Sequence, residues 1–327
     1  MLFKVFLVLL IIFVVYLVFR KYNVNIQTFI NYLPISQTIK CFSNNQNLIK
    51  FVDEMNEIFD KYKITTGEFE ISTKFNEESI NANRVVAFVP CKYFPENPKL
   101  LEECFVKNKI PNELQGKVEE KISDNKPSSS QVLFGIDLNE ETRRIYLNYK
   151  KKGKMYLEGF NINKESIIKK NYKEMKNDEF KKNMKDLIQN QLIYNQIMSL
   201  FPEEMWKIIG AKEDDNINLY KYSSYYINLS YEYKVSQFGK QLIDLLKNIY
   251  KGSNELIDKW YNCFKNNNIT WISIGRDKDN ILFFTIYCVY SRTVRSLVDK
   301  KMIKVFNDEV KKIQSILGEK KGLKLIN

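Results

Sequence analysis

The sequence predicts an α+β protein: a single N-terminal transmembrane helix, then a body of repeated antiparallel strand pairs with helices on one face. If the sheet's edges meet, that body is a closed barrel. Three observations predict it. Val5 to Phe19 is an unbroken apolar run between Lys4 and Arg20-Lys21. Short alternating or continuous apolar segments recur along the body, as strands do. Between them stand apolar stripes at three-to-four spacing, the mark of amphipathic helices.

The apolar run comes first. A bilayer core takes about 20 apolar helical residues, and residues 1–21 meet that length with Lys4 snorkelling outward. A cleaved secretory signal is the rival reading, but it needs a small-residue cleavage site. No Ala, Gly or Ser follows Phe19 until Ser36. Two cations follow the run; one lysine and the amino terminus precede it. The positive-inside rule then leans towards a cytosolic body. The chain divides into an anchor (1–21), a linker (22–45), an α+β body (46–320) with a subdivision near the 121–131 loop, and a tail (321–327).

Leu48, Phe51, Met55, Ile58 and Tyr62 place a helix over 46–62. Glu68 to Phe75 alternates, with Phe69, Ile71, Thr73 and Phe75 on one face. Arg84 to Val89 is a continuous strand ending at Pro90. A short helix follows near 98–107, then the polar loop 121–131. Gln131–Leu138 and Arg143–Lys150 flank a four-residue turn as a hairpin, and a third strand covers Met155–Phe160. Residues 165–200 read as one long helix with a break after Met175. Tyr220–Lys234 is strand-like. Helices follow at 238–250 and 254–265, then a hairpin of Thr270–Ile274 and Ile281–Ser291, and a helix at 293–317. The spacing amounts to about four strand-pair-plus-helix units, the sign of a repeated unit.

Composition removes much chemistry. The chain has no histidine, which excludes Ser-His-Asp and Cys-His catalysis, histidine bases and histidine metal ligands. The five cysteines form no CxxC pair and their number is odd, so neither a disulfide framework nor a zinc site is indicated. No metal and no cofactor are expected. Net charge is +12, which beside a membrane favours anionic lipid headgroups. Residues 150–185 hold twelve lysines against five acids, without any nucleic-acid recognition motif. Scarce alanine and abundant Lys, Asn and Ile fit an AT-rich genome.

No phosphate-loop, nucleotide or nucleophile-elbow motif is present. The strand Arg143–Lys150 carries the most informative pattern. Arg144, Tyr146, Asn148 and Lys150 point one way on an extended strand. Cations interleaved with phenols can grip a phosphate, which makes Arg144, Tyr146 and Lys150 the candidate anion-binding residues; a solvent-facing strand that keeps its polar face wet is the simpler expectation.

Strand pairs bearing Arg, Lys and Tyr, each followed by helices, resemble the aromatic prenyltransferase barrel over about residues 65–317. That resemblance implies strand-borne Arg, Lys and Tyr around an isoprenoid diphosphate, and a carboxylate that orients an aromatic acceptor. Arg144 and Tyr146 match. The second hairpin departs, because Phe283, Thr285, Tyr287 and Val289 carry no cation. The leading functional expectation is a membrane-anchored, non-catalytic binding or structural protein, partnered by the bilayer through 1–21 and by anionic lipid or another protein. The alternative is a histidine-independent enzyme or binding protein for a phosphate-bearing small molecule.

Overall fold

A computed structural model describes residues 35–291 except 78, 125–130, 139–141, 152–153, 163–166, 214–221 and 278. The anchor run and the 293–317 helix lie outside the described residues. None of the described helices is long and apolar enough to cross a membrane.

Ten antiparallel strands close into a barrel in the order β1-β10-β9-β8-β7-β6-β5-β4-β3-β2. They are β1 (Glu68–Phe75), β2 (Ile80–Pro90), β3 (Gln131–Asp137), β4 (Thr142–Lys151) and β5 (Lys154–Ile162). Then come β6 (Ile167–Glu174), β7 (Ile208–Glu213), β8 (Tyr222–Lys234), β9 (Asn268–Arg276) and β10 (Leu282–Ser291). Each strand hydrogen-bonds the next in sequence, and β1 closes on β10 from Glu68 opposite Ser291 to Phe75 opposite Phe284. Closure removes the exposed edges that an open sheet would present.

The helices lie outside. They are α1 (Ile35–Phe42), α2 (Gln46–Lys61), α3 (Pro98–Lys107), α4 (Asn112–Asp124), α5 (Asn177–Ile188), α6 (Gln191–Leu200), α7 (Val235–Ile249) and α8 (Asn254–Phe264). Local chemistry sets several ends. The Asn45 side chain accepts from the Asn47 and Leu48 amides and starts α2, and Pro98 opens α3, both favoured at a helix start. Gln189 takes a left-handed φ of 55° and ends α5.

Period-two alternation sorts each strand's side chains between two environments. The outward set of β1, Phe69, Ile71, Thr73 and Phe75, packs on helices. Phe69 meets Phe59 of α2 with ring centroids 5.4 Å apart, and Phe75 meets Trp260 of α8 edge-on at 5.0 Å. Trp260 is fully buried, and its indole N–H donates to Thr73 Oγ1 at 3.0 Å. The inward residues form a separate small apolar cluster of Val86, Phe88, Leu133 and Tyr146. The barrel wall therefore has a dry outer face and a partly polar lumen.

Five expectations are corrected. The 165–200 stretch is not one helix: β6 occupies Ile167–Glu174, and α5 and α6 follow. Ile168, Tyr172 and Met175 fit a helical stripe, but pairing with β5 and β7 decides the segment, as tertiary context often overrides local pattern. The stretch read as linker carries α1. A disulfide joins Cys41 to Cys263, because folding brings together thiols too distant in sequence for any spacing rule to pair. The 121–131 loop divides no domain: α4 runs to Asp124, and β2 and β3 pair across it from Arg84–Asp137 to Pro90–Gln131. The strand pairs number five, because β5–β6 follows β3–β4 directly.

Candidate functional site: the barrel lumen

The inward faces enclose a cavity of about 260 Å3. Its apolar wall is Val86, Phe88, Leu133, Leu157 and Ile208; Tyr146, Tyr172, Tyr226, Tyr287 and Trp271 add aromatic surface. Gly210 and Ala211 of β7 complete the lining with little side-chain bulk. A mostly apolar hollow with a few convergent polar groups is the usual form of a small-molecule site.

Two cations line the cavity, Lys173 with its neighbour Glu174 on β6 and Arg84 on β2, and Arg84 stands among the phenols. Its Nε donates to Ser72 Oγ at 2.7 Å, and its guanidinium carbon lies 5.2 Å from the centre of the Tyr287 ring. Among the described residues no carboxylate comes within ion-pair distance of it. Burial works against its charge, but Tyr287, Tyr146, Asp137 and Tyr226 outweigh burial and push its pKa further above the ordinary arginine value. Arg84 is half-buried; a cation drawn partly out of water without a paired anion carries a cost, and a bound anion would relieve it.

The two best-described members of the sequence-predicted set also face inward. Arg144 is 5 % exposed, and its Nη2 donates to Asp137 Oδ2 at 2.7 Å. Its Nη1 donates to the Tyr146 hydroxyl at 3.3 Å. Arg144 and Asp137 fall outside the cavity lining, whereas Tyr146 and Asn148 belong to it. Lys150 sits further along β4, opposite Met155; its side chain lies outside the described part. The wetted-face alternative does not hold for Arg144 and Tyr146, because closure turns their face into the lumen.

The phenols are held in place. Tyr226 stands edge-on to Tyr172 at 5.5 Å and to Trp271 at 6.4 Å. Its hydroxyl accepts from Ser224 Oγ at 3.2 Å, and Ser273 Oγ lies 3.3 Å from the Tyr287 hydroxyl. Burial raises the pKa values of Tyr172 and Tyr226. Burial also acts on Tyr146, but Arg144 and Arg84 outweigh it and lower that phenol's pKa.

Gly159 of β5 faces Tyr146 across the β4–β5 pair. A Cβ there would stand 2.8 Å from the Tyr146 ring. Gly159→Ala is expected to push the phenol from its place at a cost of about 1–3 kcal/mol, read as a lowered urea midpoint together with weakened lumen binding. An unchanged midpoint would show that the wall yields freely.

Glu70 of β1 lines the same cavity and is 8 % exposed. Thr270 Oγ1 donates to its Oε2 at 2.6 Å. Burial raises its pKa to about 7, against the Thr270 hydrogen bond and the Arg84 charge, which lower it. The native state thus holds this proton over a pH range in which the unfolded chain releases it. Stability is full below about pH 4.5 and falls as pH rises to about 7, by something on the order of 3 kcal/mol. Glu70→Gln is expected to flatten that part of the stability–pH curve; an unaltered slope would mean that Glu70 does not carry it.

Arg84, Glu70 and Tyr226 were not singled out from sequence. The signal was a charged or polar residue at every second position within otherwise apolar strands, Glu70 and Ser72 on β1 and Arg84 on β2.

Several solved structures are similar to this chain at a low level. AnaPT from Neosartorya fischeri is 9% identical over 67% of this chain and 77% of its own, with a TM-score of 0.40. The NotF prenyltransferase is 8% identical over 70% and 81%, TM-score 0.40. NotF in complex with brevianamide F and DMSPP is 9% identical over 70% and 80%, TM-score 0.41. The resemblance to aromatic prenyltransferases is architectural and weak. No family model matches the chain, and no curated protein matches it. What this lumen binds is therefore argued from its own residues.

Proposed function

We propose that the barrel lumen binds a small amphipathic molecule with a phosphate or diphosphate head, of which an isoprenoid diphosphate is the type. The observation that carries this reading is Arg84, a lumenal cation with no carboxylate in ion-pair reach among the described residues. The head enters first and meets Arg84 and the Tyr146 hydroxyl; Arg144 stands behind Tyr146. Lys150 is retained as a candidate for a further head-group oxygen. The tail lies along Phe88, Leu133, Leu157 and Ile208. Glu70 gives the cavity a group that exchanges a proton near neutral pH, so a transfer reaction needs no histidine here.

The test is titration of the purified full-length protein in detergent with dimethylallyl diphosphate, inorganic pyrophosphate and the uncharged alcohol. Trp271 fluorescence and calorimetry would serve as readouts. Expected are saturable binding of the diphosphate, weaker binding of pyrophosphate and none of the alcohol. Equal binding of alcohol and diphosphate would remove the anion from the reading. Release of pyrophosphate on adding an aromatic acceptor would make the protein an enzyme.

We also propose that residues 1–21 tether the barrel to a bilayer, supported by the length of the run. Flotation with anionic vesicles checks it: deletion of 1–21 is expected to leave the body in the soluble fraction at physiological salt. Persistent flotation would instead assign attachment to the lysine-rich 150–185 segment.

A further inference from the structure

Cys41 and Cys263 are 222 residues apart in sequence, and their bond pins α1 to α8. The neighbouring side chains reinforce the same contact. Phe42 meets Phe264 edge-on at 5.9 Å, and Lys259 Nζ stands 5.7 Å from the Phe42 ring centre. The bridge joins α1, the first of the described helices, to α8, the helix that precedes β9. Cys263 is buried but Cys41 is exposed, so dissolved thiols can reach the bond.

The other three cysteines are buried and unpaired. Burial pushes the Cys91 thiol up to about 12 and those of Cys104 and Cys288 higher. They offer little thiolate for exchange. Thiol oxidation of this chain is therefore confined to one pair, and the glutathione and thioredoxin pools of a cytosol would keep a pair open to solvent at Cys41 reduced.

We infer that the barrel body folds and works in an oxidising compartment, across a membrane from the cytosol, with Cys41 and Cys263 bonded there. Forming the Sγ–Sγ bond removes two electrons and two protons from the two thiols. An oxidised thiol–disulfide oxidoreductase accepts them and leaves as its dithiol. The apolar N-terminus is compatible with this. Arg20 and Lys21 after the run face Lys4 and the amino terminus before it, and so small a lean towards a cytosolic body does not override the bridge. A retained anchor or a cleaved signal would deliver the body to the same side. The inference does not depend on what the lumen binds.

The experiment uses the full-length chain in a eukaryotic cell. Cells are lysed in N-ethylmaleimide without reductant, and peptides are mapped by mass spectrometry. In parallel, the plasma membrane is opened with digitonin and protease is added, with a detergent-lysed sample as the digestion control. Expected are a linked Cys41–Cys263 peptide pair and a body that is cut only after detergent. Cys41→Ser should leave Cys263 as a free thiol and confirm the pairing. Alkylated Cys41 and Cys263 in the unmodified chain would overturn the inference, and so would digestion of the body after digitonin alone.

Discussion

Arg84→Met is expected to weaken binding of inorganic pyrophosphate to the lumen by about 10- to 100-fold, the equivalent of one or two charge-assisted hydrogen bonds. The variant keeps a long side chain beside Tyr287 and removes only the charge and its donors. Because no carboxylate among the described residues lies in ion-pair reach of Arg84, removing it strands no buried anion in such a pair. Its loss should leave the urea midpoint unchanged or raise it. The two readouts then move apart: binding falls while stability holds. Arg84→Lys keeps the charge but not the fork and is expected to fall between the two. Calorimetry of the three proteins decides it. An Arg84→Met protein that binds pyrophosphate as the parent does would exclude Arg84 from the head-group site, and with it the proposed direction of entry.

Asp137→Ala should behave in the opposite way. Asp137 and Arg144 are a buried pair at 2.7 Å, with side-chain exposures of 10 % and 6 %. Breaking a buried pair by removing one partner costs about 3–5 kcal/mol, because the other charge stays buried without it. Arg144→Met alone should cost a similar amount. The double variant removes both charges and should recover most of the loss. Urea unfolding of the two single variants and the double one measures the coupling. Losses that simply add in the double variant would mean that the pair does not act as a unit. The Tyr146 phenol provides a second readout. Without Arg144 it loses a donor at 3.3 Å, and its ionisation, followed by ultraviolet difference absorption, should shift to higher pH.

These two arginines show how far the sequence could be read. Arg144 and Tyr146 stood out because they alternate on one strand with Asn148 and Lys150, a pattern confined to eight residues. Arg84 stood at the head of an apolar run and read as part of it. The difference between them is tertiary. Arg144 meets Asp137 from the neighbouring strand, whereas Arg84 meets a serine and phenols drawn from β1, β4, β8 and β10. Strands whose outer face packs on helices and whose inner face lines a cavity look apolar on both sides, so a lone charge among them is easily taken for noise.

The secondary structure divides along the same line. α2, α3, α7 and α8 were legible because an amphipathic stripe and its caps are local. β6 and β7 were not. β6 is lysine-rich with an accidental helical spacing, β7 is short, and both are strands because a gap between β5 and β8 had to be filled. The Cys41–Cys263 bond belongs to the same class, since only the closing of the helix ring brings the two thiols together.

The sequence by itself determined the chemistry this protein lacks, the apolar N-terminal run, the alternation of strand pairs with helices, and a cationic and phenolic face on β4. Each follows from composition or from a period within one segment. Only the tertiary structure decided that the sheet closes, and therefore that this face looks into a cavity and not into water. It also made Arg144 the partner of Asp137, while among the described residues no carboxylate comes within ion-pair reach of Arg84. The physical reason is that closure pairs β1 with β10 across more than two hundred residues. The choice between lumen and solvent is made by that one ladder of hydrogen bonds, which no local pattern encodes.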